Sequence, residues 1–551
     1  PIYGSTEKLT KRGLGTKGIE KIIRTLLDNP SFVLVENLPG WMREEFKLPD
    51  RTTAMRMIHS PKVERDAFMA RRRLKFEELF FLQLELLLRK NIHRQKAKGY
   101  VLEEVGDHFN RFYSEHLPFD LTGAQKRVMK EIRKDLKSGA QMNRLLQGDV
   151  GSGKTMVAAL ASLIAIDNGF QAAVMAPTEI LATQHMHTFD ELFAELPLRV
   201  ELLTGSTKKA KRDEIHRGLQ NGEVNLLVGT HAIIQKSVKF HNLGLAIVDE
   251  QHRFGVAQRA QLWSKNKLPP HVLVMTATPI PRTLAMTLYG DLDVSVIDEM
   301  PPGRKPVKTT HVYDDARLRI FGFMEDQIKK GRQVYVVYPL IEESETLDLK
   351  DLMDGYESIV RRFPLPEYQI SIVHGRMKAE DKDWEMNRFV KGETQIMVAT
   401  TVIEVGVNVP NATVMVIESA QRFGLSQLHQ LRGRVGRGAE LSHCILVSDK
   451  KLSSEARTRL KTMTETNDGF RIAEVDLELR GPGEIMGTKQ SGDLNLKLAN
   501  LATDGRILAY ARETARNILE EDPELSMEKH REILEYAKTT IFKKPNWSRI
   551  S

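Results

Sequence analysis

The run Gly148-Asp149-Val150-Gly151-Ser152-Gly153-Lys154-Thr155 fits the pattern G-x-x-x-x-G-K-[ST] and constrains the fold more than any other stretch of the chain. Such a loop works when a strand delivers it and a helix starts inside it, because its backbone N–H groups must converge on one anion at the helix N-terminus. Both flanks are present. Arg144-Leu145-Leu146 is a short apolar strand leading in, and Met156 to Ile166 is an apolar helical stretch leading out. The loop therefore predicts an α/β lobe that binds ATP, with residues 148–155 around the phosphates. Lys154 is expected on the β/γ oxygens and the Thr155 hydroxyl on Mg²⁺.

From about Leu117 short apolar runs alternate with longer amphipathic ones, the pattern of a parallel sheet crossed by helices. The strand candidates of a first lobe are Leu145-Leu146, Ala172 to Met175, Leu226 to Val228, Leu245 to Val248 and Val272 to Met275. Each ends in polar or small residues, and ligands of such sheets sit beyond the strand C-termini, so these ends are expected to converge on one cleft. After Met300-Pro301-Pro302-Gly303-Arg304, a hinge-like segment, the alternation restarts at Val334 to Val337, Ile370 to Val373, Ile396 to Ala399, Val414 to Ile417 and Ile445 to Val447. This second lobe has no phosphate loop and should act on the nucleotide of the first. The expected division is 1–117, mostly helical; 118–300, lobe 1; 301–450, lobe 2; and 451–551, helices around the turn Arg480-Gly481-Pro482-Gly483-Glu484.

A length of 551 residues suggests about three to four domains, and 41% hydrophobic with 28% charged residues is ordinary for globular protein. The one cysteine, Cys444, excludes a disulfide framework or a cysteine-based zinc site, and its apolar neighbours make it a core residue. A reducing cytoplasm fits, and no apolar stretch reaches membrane-spanning length. The first residue is Pro1, which suggests a fragment or a processed form. A net charge of +8 suits a polyanionic partner. The densest basic cluster, Arg71-Arg72-Arg73, opens a helix-period stretch and reads either as a solvated face or as a phosphate contact.

Phosphoryl transfer is catalysed chiefly by positioning and electrostatics, so the chain must supply a metal ligand, a group that activates water and cations for the γ-phosphate. Asp249, ending the apolar run Ile247-Val248, is expected to hold Mg²⁺, and Glu250 to orient and deprotonate the water. Gln251 and His252 would contact the γ-phosphate. Thr276-Ala277-Thr278-Pro279 follows another strand and brings two hydroxyls to the same cleft. Gln427-Leu428-His429-Gln430-Leu431-Arg432-Gly433-Arg434-Val435-Gly436-Arg437-Gly438 carries three arginines, whose planar forks suit phosphate oxygens. Arg434 and Arg437 are candidate arginine fingers, completing the site when the lobes close. Upstream, the Gln125 amide could read an adenine edge.

Taken together, these motifs resemble a superfamily-two helicase, which implies two RecA-like P-loop lobes. On that resemblance a nucleic-acid track is lined by Ala176 to Glu179 (with Thr178), Gln184-His185, Thr204-Gly205, Gly229-Thr230-His231-Ala232, His374-Gly375 and the run from Ala399 to Gly406. That last run includes Thr400 and Thr401, with Glu404 and Gly406 assigned to the nucleotide. Hydroxyls, glycines and helix starts suit backbone phosphates without reading bases. More closely, Leu145 to Thr155, Asp249 to Val256, Met275 to Leu284 and Gln427 to Arg437 are similar to RecG and its relative Mfd. Gly469 to Glu484, ending at Gln490-Ser491-Gly492, resembles the translocation motif shared by those two, which implies roles for Arg480, Glu484 and Gln490. The helical run Arg71 to Leu79 resembles RecG specifically.

The resemblance implies an ATP-dependent double-stranded DNA translocase that remodels stalled forks and Holliday junctions in recombination and repair. It also implies branched DNA as partner, a single-stranded DNA-binding protein as a possible second one, a monomer, and a bacterial, nucleoid-associated setting. Two departures stand out. Asn408 occupies a position where many relatives carry Asp, and no β-rich, aromatic wedge domain precedes the helical region. The alternatives are the motor of an Mfd-like transcription-repair coupling factor, against which the helical flank at 62–99 argues; a PriA-like helicase, which would need zinc-binding cysteines; and an ATP-gated clamp without turnover.

Overall fold

The computed structural model describes residues 3–4, 6–96, 98–250, 268–281, 284–285, 287, 292–301, 305–339, 345–400, 409–436, 438, 440–485 and 496–542, with the side chains of 93–96, 345–351, 379 and 482–485 excepted. Its contacts divide the chain into two compact units. One joins Pro1–His93, Arg282–Asp291 and Gly481–Ser551; the other joins Arg94–Pro281 and Leu292–Arg480.

The larger unit holds both sheets, and every strand pair in them is parallel. Lobe 1 contains β1 (Asn143–Gly148), β2 (Gln171–Met175), β3 (Val200–Leu203), β4 (Leu226–Gly229), β5 (Leu243–Asp249), β6 (His271–Thr276) and β7 (Asp293–Ile297), in the order β3-β4-β2-β5-β6-β1-β7. Lobe 2 contains β8 (Lys308–Tyr313), β9 (Gln333–Tyr338), β10 (Ile370–Val373), β11 (Ile396–Thr400), β12 (Ala412–Ile417) and β13 (His443–Ser448), in the order β10-β11-β9-β12-β13-β8. The expected α/β class with two parallel-sheet lobes and helical flanks is what forms. All ten strand candidates are strands. The three that sequence did not signal, β3, β7 and β8, are all edge strands. An edge strand can be partly solvated: β8 reads Lys-Thr-Thr-His-Val-Tyr with no buried residue, whereas β5 is buried throughout.

The contacts cut the chain differently from the four regions drawn on sequence. Leu102 and Phe112 join the lobe 1 core, and the Tyr100 ring packs 4.6 Å from Phe170. Leu460, Met463, Ile472 and Val475 join the lobe 2 core. Residues 94–117 and 451–480 thus belong with the lobes, while the outer parts of the two flanks share one helical unit. There the helix Glu64–Lys96 buries Phe76, Leu79, Phe80 and Leu84, and Phe81 packs 4.1 Å from Tyr536. Across it Lys75 pairs with Asp504 at 2.8 Å, and the Glu78 carboxylate accepts the N–H groups of Leu498 and Ala499 at 3.0 and 2.8 Å.

The basic cluster at 71–73 is split, and neither reading drawn from sequence covers its last member. Arg71 and Arg72 are exposed, but Arg73 is 0% exposed. Its guanidinium donates to Glu77, Glu36 and Asn37 at 2.7, 2.7 and 3.0 Å. A buried arginine held this way is a structural cross-link, not a phosphate contact.

The run through Arg480 to Glu484 is also not a plain turn. It lies within the helical run Gly469–Ile485, broken at Gly481, whose φ of 75° a residue with a Cβ rarely adopts. The division between the two units falls at that residue. Among the described residues no helix is long and apolar enough to cross a membrane.

Candidate nucleotide site

β1 delivers the phosphate loop and the helix Lys154–Asp167 leaves it, as the flanking hydrophobic runs predicted. The turn requires left-handed backbone at Gly151 (φ 77°) and Gly153 (φ 85°). A Cβ at Gly153 would also strike Nε2 of Gln125. Lys154 is buried, and its ammonium donates to the Gly148 and Asp149 carbonyls at 2.8 and 3.0 Å, so it closes over its own loop. Thr155 stands at the helix start, half-buried.

Gln125 is fully buried, and both ends of its amide are engaged. Nε2 donates to the Ser152 carbonyl at 2.9 Å, and Oε1 accepts the Thr122 N–H at 2.9 Å, completing a capping box. In this geometry the amide braces the phosphate loop.

Asp249 ends β5, and the N–H of Glu250 donates to its Oδ1 at 3.1 Å. Its Oδ2 is 2.8 Å from Nε2 of His185. Burial raises the pKa of Asp249, but the His185 hydrogen bond and the nearby charges outweigh burial, so the carboxyl titrates below its usual range. His185, which the helicase resemblance assigns to the nucleic-acid track, is buried here and held against Asp249. Glu250 has a left-handed φ of 55°, with its N–H donating to the Met275 carbonyl at 3.0 Å. That conformation is costly for a non-glycine residue and is characteristic of functional sites. Burial, and then the Asp249 charge, push the Glu250 carboxyl up to about 7, against the pull of Lys154 and Arg434.

Arg434 comes from lobe 2 and is buried. The same lobe reaches lobe 1 at two further points. Gln430 Nε2 donates to the Thr278 hydroxyl at 2.6 Å, and Gly433 lies so close to Val150 that a Cβ there would come within 2.8 Å of Val150 Cγ2. Arg432, the first of the three arginines, is structural: it donates to the Met463 and Thr466 carbonyls at 3.0 and 2.8 Å. Beside the loop a cavity of about 380 Å³ is lined by residues that include Asp149, Ser152, Glu299, Lys305, Arg432 and Phe470.

The proposed track residues lie at the C-terminal edges of both sheets. Thr178 caps the helix Glu179–Leu192, and Glu179 accepts the Ser206 N–H and hydroxyl at 3.2 and 2.6 Å, linking it to the Thr204 turn. Thr204 itself is buried, its hydroxyl 3.0 Å from that of Ser206. Gly229 ends β4 against Leu203, Thr230 is buried and His231 exposed. In lobe 2, Thr400 ends β11 and His374 follows β10. The Arg480 Nε donates to Asp476 at 3.0 Å. Gln251, His252, Thr401, Glu404, Gly406, Asn408, Arg437 and Gln490 lie outside the described residues, as does the side chain of Glu484.

Residues 122–287 match the DEAD/DEAH box helicase family, 318–439 the helicase conserved C-terminal domain, and 466–551 the C-terminal part of domain 3 of the ATP-dependent DNA helicase RecG. The Bacillus subtilis RecG is 47% identical over 522 residues, 95% of this chain and 75% of that protein. The chain belongs to the RecG family. The Synechocystis RecG is 52% identical over 95% of the chain, which spans 62% of that relative's length. A solved structure of RecG bound to a three-way DNA junction is 43% identical and matches with a TM-score of 0.69, over 92% of this chain and 66% of that one. The RecG-specific match at 466–551 tells against the Mfd-like alternative.

Proposed function

We propose that this chain is the motor of an ATP-dependent double-stranded DNA translocase that remodels branched DNA, such as stalled forks and Holliday junctions. The observation that carries this reading is the gathering of Lys154 and Asp249 from lobe 1 and Arg434 from lobe 2 around the Glu250 carboxyl, which is pushed up to about 7. A group poised near neutral pH is suited to accept a proton from water as its oxygen attacks the γ-phosphorus. The bond to the β–γ bridging oxygen breaks, and Arg434 and Arg437 offset the charge that develops there. Lys154 exchanges its loop carbonyls for phosphate oxygens. Asp249 and Thr155 fit a hard divalent cation, since one supplies an ionised carboxylate and the other a hydroxyl at the helix start. Mg²⁺ held there would neutralise phosphate charge. Because Arg434 belongs to lobe 2, turnover requires the lobes to be together, which couples chemistry to movement.

Branched duplex as the substrate is supported by the family and by the relative solved on a three-way junction. The test is ATP turnover with duplex, forked and single-stranded DNA, run beside a triplex-displacement assay that reports duplex translocation. Stimulation by duplex or forked DNA, with displacement that needs ATP, is the expected result. Displacement without ATP, or stimulation by single strands alone, would overturn it. Affinity should also fall steeply with salt, because phosphate contacts release counterions.

A further inference from the structure

A carboxylate in the phosphate loop is an electrostatic oddity, because the ligand of that loop is itself strongly negative. Asp149 is such a residue, 9% exposed and turned into the protein. Its Oδ1 accepts the Val150 N–H at 2.8 Å and lies 2.5 Å from Nε2 of His429, on the lobe 2 helix Leu425–Arg432. Its Oδ2 accepts the N–H of Gly469 at 3.3 Å, at the start of the helical run that leads to Arg480.

The proton on His429 is assigned by its neighbour. Arg432 has only donors, and its Nη2 lies 2.9 Å from His429 Nδ1, so Nδ1 accepts and Nε2 carries the hydrogen given to Asp149. Gly469 is required by the crowding: a Cβ there would come within 2.6 Å of His429 Nε2 and of Pro279 Cγ, and within 3.0 Å of Asp149 Oδ2. Burial works against ionisation of Asp149, but the His429 hydrogen bond, with the Val150 N–H and Lys154, holds its pKa below the usual carboxylate range. The carboxylate is therefore charged, and an essential part of its compensation comes from lobe 2.

We infer that Asp149 and His429 form an inter-lobe latch that makes nucleotide binding and lobe closure depend on each other, with Gly469 passing the closed state into the helical run 469–485. When lobe 2 withdraws, His429 and Gly469 leave Asp149, and its uncompensated charge repels an incoming polyphosphate. When lobe 2 docks, that charge is answered and the loop accepts the anion. By linkage, nucleotide must then favour docking to the same degree. Both are positioning residues, acting through the loop.

This inference rests on the nucleotide reading of the phosphate loop, and the experiment separates the two. In the full chain, the dissociation constant of a non-hydrolysable ATP analogue is measured for the parent, His429→Ala, Asp149→Asn and the double variant, with and without duplex DNA. His429→Ala should weaken the analogue about tenfold and ADP less, the size expected for an allosteric coupling of this kind. Asp149→Asn removes the charge that His429 answers, so adding His429→Ala to it should cost little beyond Asp149→Asn alone. His429→Gln, which keeps an N–H donor, should recover part of the loss and serves if the alanine variant does not fold. Duplex DNA that favours docking of lobe 2 should tighten the analogue on the parent, and do so less on His429→Ala. A His429→Ala penalty of the same size in the Asp149→Asn background, or no penalty in either, would overturn the latch while leaving the nucleotide site intact. Failure of the parent to bind the analogue would overturn both.

Discussion

The helical unit and the two-lobed unit both bury charged side chains against partners, but the two-lobed unit also holds one carboxyl off balance. In the helical unit the buried Arg73 donates to Glu36, Glu77 and Asn37, and the buried His530 lies 2.9 Å from Asp522, so each is held by a partner. In the two-lobed unit Asp249 is matched by His185, but Glu250 beside it is raised to about 7. Matched buried charges act as cross-links, and removing one partner strands the other. A buried carboxyl held off balance is a poor cross-link but can take a proton at neutral pH. Residues that hold the fold and residues that do chemistry are thus told apart by whether their buried charge is matched, not by burial alone.

The largest effects that could break this contrast lie on the chemical side. Lys154→Ala should abolish ATP turnover without altering the thermal unfolding of either unit. Arg437→Ala should lower turnover by roughly 10³ to 10⁵ with nucleotide binding less affected; loss of binding in step with turnover would make it a ground-state contact. Glu250→Gln should cost roughly 10² to 10⁴ in turnover while still binding ATP, because proton acceptance alone is removed. Single-turnover kinetics beside equilibrium binding distinguish these outcomes.

On the other side, Arg73→Met should leave ATP hydrolysis per folded molecule unchanged but destabilise the helical unit by about 3–5 kcal/mol, as expected when one partner of a buried pair is lost. Denaturant unfolding followed in that unit measures it, and a loss of hydrolysis with no loss of stability would erase the contrast.

A subtler test sharpens it. Glu250 must be ionised to act, and its pKa is raised to about 7, so the rate of the chemical step should climb through pH 7 and level off above it, a limb absent in Glu250→Gln. The smallest effect belongs to Asp522. Burial raises its pKa, but His530 and the Ser526 and Met527 N–H groups outweigh burial and bring it to about 2. Its contribution to stability is therefore present above the unfolded value near 3.8 and is lost as pH falls through about 2. Acid titration of unfolding should show that limb in the parent and a weaker one in His530→Gln.

Much of the architecture was legible in the sequence, for reasons the strands make plain. Central strands such as β5 are buried on both faces and read as unbroken apolar runs, whereas β3, β7 and β8 carry polar residues because one side of each faces no neighbour. The strand-to-helix turn at 148–155 and the strand ending at Asp249 were legible because a glycine-rich loop between apolar runs, and an apolar run ending in acids, are patterns of adjacent residues. For other side chains the local motif does not show the distant partner that folding supplies. Gln125 braces Ser152, His185 holds Asp249, Arg432 ties down Met463 and Thr466, and Arg73 is buried among acids.

By itself, then, the sequence determined the two parallel-sheet lobes, the helical flanks and the nucleotide loop, because periodicity and loop chemistry are set by residues a few positions apart. Only the tertiary structure decided which buried charges are cross-links and which one is reactive. The partners that settle this are remote: His185 lies 64 residues from Asp249, and His429 lies 280 from Asp149. A side chain's charge state depends on burial and on what folding brings within a few ångströms of it, and no local pattern along the chain encodes that.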